Sequence, residues 1–396
     1  MPEIPHRIRV LIAPNAFKGT LTAAQAARAI SEGVMAARPQ ALCAELPLAD
    51  GGDGFLETLL ANGSGELIQC RVAGPLLEPV DASFGWLRSA GDRTAVIESA
   101  QACGLKLVAR PSPESAARAS TVGLGQLVRQ ALERGPEKIL IGLGGSASTD
   151  GGAGLASALG IQLLDSRGQP ISAGGVGLLD LDRIDGSGAD PRLTRMELVA
   201  ACDVDSPLSG PLGAAAVFAP QKGADRGMVQ VLEQGLRRLE FMVARDLGRS
   251  GLAERPGAGA AGGAAFGLAA FCGALLEKGA TLVASRVGLD AAMDETELVI
   301  TGEGHLDETS LSGKVTGEVL WRCVQRRLPC LLLVGSADED VAAQVRDRGG
   351  QLVLTSPNPD EVGAVTPELA FSQLRAASRR ALLSMEVGCG SAGPDQ

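Results

Sequence analysis

The sequence predicts an α/β fold: a doubly wound domain made from both chain ends, residues 1–70 and 290–385, with a second α/β domain, residues 71–289, inserted between them. Three observations predict it. Short apolar runs that pass through polar glycine loops into helix-period segments occur near the N-terminus and return from Glu297 onward. Between Glu66 and Ser99 the character changes to β-rich runs separated by Gly and Pro, which fits antiparallel hairpins. A chain of 396 residues also exceeds one typical core, so about two domains are expected.

Arg9 to Ala13 reads as the first strand and Pro14 to Gly19 as a loop. Thr22 with Gln25 forms a capping box, and Ala23, Ala26, Ala27, Ile30 and Val34 recur at helical spacing until Pro39 stops the helix. Leu42 to Leu48 is the next strand; it leads into Asp50-Gly-Gly-Asp53-Gly54, and Phe55 to Leu60 then turns helical. Thr121 to Glu133 is a helix. Leu178 to Leu181 and Met196 to Ala201 read as strands, and Val229 to Leu247 as a long amphipathic helix. Near the C-terminus the expected order is strand Leu298–Thr301, loop Gly302–Gly313, helix Val315–Arg326, strand Cys330–Val334, helix Glu339–Arg346 and strand Leu352–Leu354. The tail after about residue 385 reads as frayed.

The stretch from Lys138 to Gly160, KILIGLGGSASTDGGAGLASALG, starts as an apolar strand, bends through glycines and leaves as an Ala/Leu helix pattern. Backbone amides at such a bend can cradle phosphate, and Ser146, Ser148, Thr149 and Asp150 add polar groups. A bend that merely needs positive φ angles fits the same residues.

Composition excludes several classes. A net charge of -10, 3% aromatic residues and no Tyr exclude a nucleic-acid surface, which needs basic stripes and stacking rings, so a small-molecule partner is expected. The eight cysteines stand singly without a CxxC pair, and MPEIPHRIRV lacks a signal-peptide core. A reducing, cytoplasmic setting without disulfides is therefore expected. His6 and His305 are the only histidines, which excludes a His-rich zinc site; a bound metal would be oxygen-ligated magnesium. Gly257 to Leu276 carries no charge but is mostly Gly and Ala, so it reads as a glycine loop entering a buried helix, and no membrane span is expected.

Lys18, Lys222 and Lys314 each touch a glycine in a polar loop. That placement suits a point charge for phosphate oxygens, although each alone also fits a solvated loop residue. The carboxylates repeat the theme. Asp50 and Asp53 flank two glycines, Asp150 precedes two more, Asp203 and Asp205 end a strand, and Glu303 and Asp307 straddle His305. Phosphoryl transfer needs acids to hold magnesium and one to accept a hydroxyl proton. Asp53 as a helix N-cap and Asp205 as an Asp-Ser-Pro turn are the simpler alternatives. Gly142, Gly144 and Ala147 also satisfy GxGxxA after a strand, with Asp165 about where a ribose-binding acid could fall, so an NAD(P)-dependent oxidoreductase is a competing reading. A Walker A loop is absent, since Glu308 and Val315 stand where it needs Gly and Ser or Thr.

Through these residues the chain closely resembles the bacterial glycerate kinases of the two-domain type. The resemblance is carried in order by IAPNAFKGTLTA (Ile12 to Ala23), LADGGDG (Leu48 to Gly54), GLGGSASTDGGAG (Gly142 to Gly154), CDVDSPLSGPLGA (Cys202 to Ala214), FAPQKGA (Phe218 to Ala224), GAGAAGG (Gly257 to Gly263) and ITGEGHLDETSLSGK (Ile300 to Lys314). It implies ATP- and Mg2+-dependent phosphorylation of D-glycerate, at the 2-hydroxyl ahead of the 3-hydroxyl, by a Rossmann-like domain and an inserted α/β domain. Asn15, Phe55, Ser148, Thr149 and His305 depart from the family pattern, which has Asp, Thr, Thr, Asn and Arg there. Histidine cannot clamp a carboxylate or phosphate bidentately as arginine does.

Within that reading, ATP contacts are expected at Gly144, Gly145, Ser146, Ala147, Ser148 and Asp150, with Gly259 and Gly262 closing part of the nucleotide or substrate pocket. Asp203 and Glu303 would hold magnesium. Lys18 would neutralise the transferred phosphoryl group, Asp50 or Asp307 would orient the glycerate hydroxyl and accept its proton, and Asp203 also counts among the catalytic groups. A homodimer stays open.

Overall fold

The computed structural model describes residues 7–89, 92–356 and 365–388. The chain forms two compact units, Met1–Asp50 with Ala280–Gln396, and Gly51–Gly279. Among the described residues the strands, in chain order, are β1 (Arg9–Ile12), β2 (Leu42–Glu45), β3 (Gly65–Ala73), β4 (Pro79–Ser89), β5 (Asp92–Glu98), β6 (Lys138–Gly142) and β7 (Gln162–Leu164). They continue as β8 (Arg183–Asp185), β9 (Glu197–Ala201), β10 (Leu275–Glu277), β11 (Leu298–Leu306), β12 (Cys330–Ala337) and β13 (Gly350–Leu354).

The first unit is a parallel five-stranded sheet in the order β13-β12-β11-β1-β2. β1 past its first residue and β12 over its first five residues are buried throughout, as strands covered on both faces must be. One face is covered by the helices Ala23–Ala37 and Pro367–Gly388. They approach closely at Gly33, where a Cβ would lie 2.3 Å from Arg375 O, and Ser378 Oγ bonds Ile30 O at 3.0 Å. The Thr22–Gln25 capping box is formed as expected: Gln25 N donates to Thr22 Oγ1 at 3.2 Å and Thr22 N to Gln25 Oε1 at 2.9 Å.

The second unit holds a six-stranded mixed sheet, β10-β9-β6-β5-β4-β3, and a small antiparallel pair, β7-β8. The expected hairpins are present as β3-β4-β5. β5, β6, β9 and β10 run parallel, and their register aligns Glu98, Gly142, Ala201 and Glu277 at one carboxyl edge. Fully buried Leu124, Leu127, Ile139, Ile141, Leu236 and Phe266 lie in the core of this unit.

Several expectations change. Residues 51–70 lie in the second unit, because β3 pairs along its length with β4 and the helix Phe55–Ala61 buries Phe55, Leu56 and Leu59 there, and residues 280–289 lie in the first. Leu178–Leu181 is not a strand: Gly175–Asp180 forms a 3₁₀ turn, drawn tight where a Cβ on Gly177 would lie 1.9 Å from Ser172 O. β11 does not stop at Thr301 but runs to Leu306, carried by parallel pairing of Glu303 with Val334 and His305 with Ser336. The frayed tail lies outside the described residues beyond Gly388, while the helix Pro367–Gly388 reaches past residue 385.

Candidate active site

In the first unit, the chain leaves β1 through Pro14 and Asn15, whose N–H donates to Gly302 O at 2.9 Å and whose Oδ1 accepts from Ala16 N at 2.8 Å. Phe17 and Leu21 then close a tight turn with reciprocal backbone hydrogen bonds of 2.9 and 3.0 Å, which leaves Lys18 exposed at its tip. On the neighbouring strand, β11 carries Glu303 and His305, and Asp307 follows it. This is the switch point of the sheet, where the chain order runs outward on either side of the β1-β11 pair, and the carboxyl edge of such a point is where open α/β sheets bind ligands. A cavity of about 500 Å³ opens there. Its wall brings together Asn15, Lys18, Asp50, Glu303, His305, Asp307 and Lys314, with Ser336, Thr355 and Gln373 among the other lining residues.

The acids of this cavity differ in kind. Glu303 is 7% exposed, and its Oε1 is enclosed without a hydrogen-bond partner among the described residues. Burial raises its pKa, opposed by the Thr316 and Ser310 hydroxyls and the Lys314 ammonium. Such an orphaned carboxylate oxygen in a cavity wall fits a cation. Magnesium needs only one or two protein carboxylates beside substrate phosphates, so the absence of any group of three or more ligands among the described residues does not conflict with that fit. Asp307 is an N-cap. Its Oδ1 accepts from Ser310 N at 2.9 Å and Thr309 Oγ1 at 2.6 Å, and these bonds, with Lys314 nearby, outweigh burial and lower its pKa. Lys314 Nζ donates to Thr309 Oγ1 and lies 4.0 Å from Asp307 Oδ1. His305 Nδ1 is 2.8 Å from Ser336 Oγ, and Nε2 is 3.6 Å from Asp338 Oδ1.

In the second unit, the glycine-rich loop after β6 does not enter a helix until Ala153, eleven residues past the end of the strand, which removes the geometry a dinucleotide GxGxxA turn requires. Gly144 is half-buried and Gly145 exposed, whereas Ser146, Ala147, Ser148 and Asp150 are buried. Asp150 is a structural hub. Its carboxylate accepts from Thr121 N (2.8 Å), Thr121 Oγ1 (2.9 Å), Ser120 Oγ, Gly152 N and Gly154 N (each 3.2 Å). Gly259 and Gly262 are buried packing positions: a Cβ would lie 2.3 Å from Pro207 O at the first and 2.0 Å from Ser148 O at the second. Lys222 is buried as well and is no solvated loop lysine; its Nζ donates to Ser148 O at 2.6 Å and Ser146 Oγ at 3.1 Å.

Asp203, just past β9, accepts from Gly279 N at 3.0 Å, and Lys278 Nζ pairs with Asp205 at 2.6 Å. The N-cap of the helix Phe55–Ala61 is Gly54, not Asp53, which instead pairs with Lys106 at 2.5 Å beside Gly145. Sequence reasoning missed Lys106 and Glu98. Glu98 ends β5, receives Leu56 N at 3.3 Å, and is pushed up to about 7, chiefly by burial. An acid ending an apolar parallel strand next to the glycine loop was the available signal.

Comparison with known proteins decides the class. The family described as the Glycerate kinase family matches residues 10–381. The chain belongs to the glycerate kinase family. It is 42% identical to a glycerate kinase of Halalkalibacterium halodurans over 84% of this chain and 87% of that protein. It is 38% identical to the glycerate 2-kinase of Escherichia coli K12 over 98% of this chain and 100% of that one. A crystal structure from Salmonella typhimurium LT2, of a protein assigned as glycerate kinase 2, superposes with a TM-score of 0.81 at 36% identity, covering 97% of this chain and 99% of that one. Nothing in these matches favours the nicotinamide-dependent alternative. No helix among the described residues is long and apolar enough to cross a membrane.

Proposed function

We propose that this member of the glycerate kinase family transfers the γ-phosphoryl group of ATP to the 2-hydroxyl of D-glycerate. The observation that carries the reading is its similarity along essentially the whole chain to a protein named glycerate 2-kinase. The first unit supplies fitting chemistry, a cavity with Lys18 and Lys314 beside Asp50 and an orphaned Glu303 oxygen.

In this reading the glycerate hydroxyl oxygen bonds to the γ-phosphorus while the bond to the β,γ-bridging oxygen breaks and ADP leaves with that electron pair. The hydroxyl proton passes to Asp50, and Asp307, held rigid as an N-cap, orients the acceptor. Lys18 meets the charge on the transferred phosphoryl oxygens, and the Gly144–Gly145 segment receives the phosphates of ATP through backbone N–H groups. Glu303 would hold magnesium, which when bound neutralises phosphate charge. The described cysteines are all free thiols, which suits a cytoplasmic enzyme.

ADP release from purified protein, followed with and without D-glycerate, tests the reading. It should be glycerate-dependent and cease when EDTA removes magnesium. Release indifferent to glycerate would reject it.

A further inference from the structure

Lys222 ends the turn Pro220–Lys222 and is 3% exposed, the one buried lysine among the described residues. The titratable groups facing it are Asp150 and Cys103. Burial pushes the Cys103 thiol up to about 12, so it is uncharged at neutral pH and Asp150 is the only countercharge among the described residues. Asp150 already serves five donors of the loop and of the adjacent helix start. A buried ammonium is costly to desolvate, and a neutral side chain would fill this space more cheaply, so its charge calls for a reason.

That reason lies on the other side of the loop. Leu105 N donates to Gly145 O at 2.7 Å, Ala147 N to Cys103 O at 2.7 Å and Gly151 N to Gly262 O at 3.1 Å, so the segment is tied from within at several points. Lys222 adds the tie at Ser146 and Ser148 between them. Between Gly142 and Asp150, Gly144 is half-buried and Gly145 exposed, and the other residues are buried.

We propose that Lys222 is a positioning residue: from inside the fold its ammonium braces the Ser146–Ser148 segment, setting Gly144 and Gly145 to receive a phosphate anion and placing one positive charge behind them. This rests on the reading of that loop as the ATP-phosphate surface. Burial also lowers the Lys222 pKa to about 8, against the pull of Asp150, so the brace is charged at neutral pH and loses its charge in mildly alkaline solution.

The test combines kinetics with hydrogen exchange on the full-length enzyme. Lys222→Met, with circular dichroism confirming the fold, should raise KM for ATP by about tenfold or more while KM for glycerate stays within about twofold. Lys222→Arg, charged at every pH used, should keep KM for ATP within about threefold of wild type and hold it flat with pH. Should either variant fail to fold, the wild-type enzyme alone decides: its KM for ATP should rise between pH 7 and 9.5. A folded Lys222→Met enzyme with wild-type KM, or a flat wild-type profile, overturns the role of Lys222. Hydrogen exchange separates this from the underlying reading. ATP should protect residues 142–148 of the wild type, and an active enzyme whose loop ATP leaves unprotected overturns the phosphate-surface reading and the inference with it.

Discussion

Asp150 Oδ2 accepts the backbone N–H of Thr121 at 2.8 Å, which ties the glycine-rich loop to the start of the helix Val122–Leu132. With five donors converging on one buried carboxylate, Asp150→Asn places an amide N–H₂ against donors it cannot serve. The expected cost is about 3 kcal/mol, read as a fall of several degrees in the Tm of ligand-free protein. An unchanged Tm with a raised KM for ATP would instead place Asp150 in contact with nucleotide.

Lys18 presents the opposite case. It is exposed on the cavity wall, so Lys18→Ala should leave the Tm within about one degree and lower kcat by about 100-fold or more, as removal of a charge-stabilising group does. Steady-state kinetics alongside a melting curve checks both halves, and wild-type turnover would remove Lys18 from the active site.

Two glycines separate backbone strain from collision. Gly262 has φ +68° and a Cβ there would lie 2.0 Å from Ser148 O, whereas Gly19 has φ +82° with nothing within 4 Å. Gly19→Ala should cost about 1 kcal/mol from backbone strain alone. Gly262→Ala should cost about 3 kcal/mol or more, because the Ser148 backbone must also move. Paired unfolding curves measure the difference.

Glu98 makes stability depend on pH. Its folded pKa of about 7 lies above the ordinary 4.5, so between these values the folded protein keeps a proton that the unfolded chain has released. The contribution is fully present below pH 4.5 and is lost as pH rises through 7. Glu98→Gln stays neutral and still offers an oxygen to Leu56 N. It should therefore stabilise the protein by about 2 kcal/mol at pH 8 and change little at pH 4.5, as urea unfolding at the two pH values would show.

What was legible in the sequence was local or followed from a parallel sheet. The Thr22–Gln25 box is complete within four residues, and acids and lysines placed in loops after apolar strands gather at the carboxyl edge because parallel strands all end there. Asn15, Lys18, Asp50, Glu303, Asp307 and Lys314 accordingly share one cavity wall. What was illegible depended on partners distant in sequence. Gly302 and Gly304 punctuate β11 like a loop, yet β12 pairs past them to Leu306, and a Cβ on Gly302 would lie 1.9 Å from Leu333 O, so the glycine serves close packing within the sheet. Lys222 looks like any loop lysine beside a glycine, because its burial comes from Ser146, Ser148 and Asp150 more than 70 residues earlier.

Phosphorus NMR of the product formed from D-glycerate, ATP and magnesium tests the central claim most directly. The expected result is ADP together with a 2-phosphoglycerate resonance, in equal amounts and only when glycerate is present. A 3-phosphoglycerate signal would contradict the assigned hydroxyl, and ADP with free phosphate alone would contradict the transfer itself.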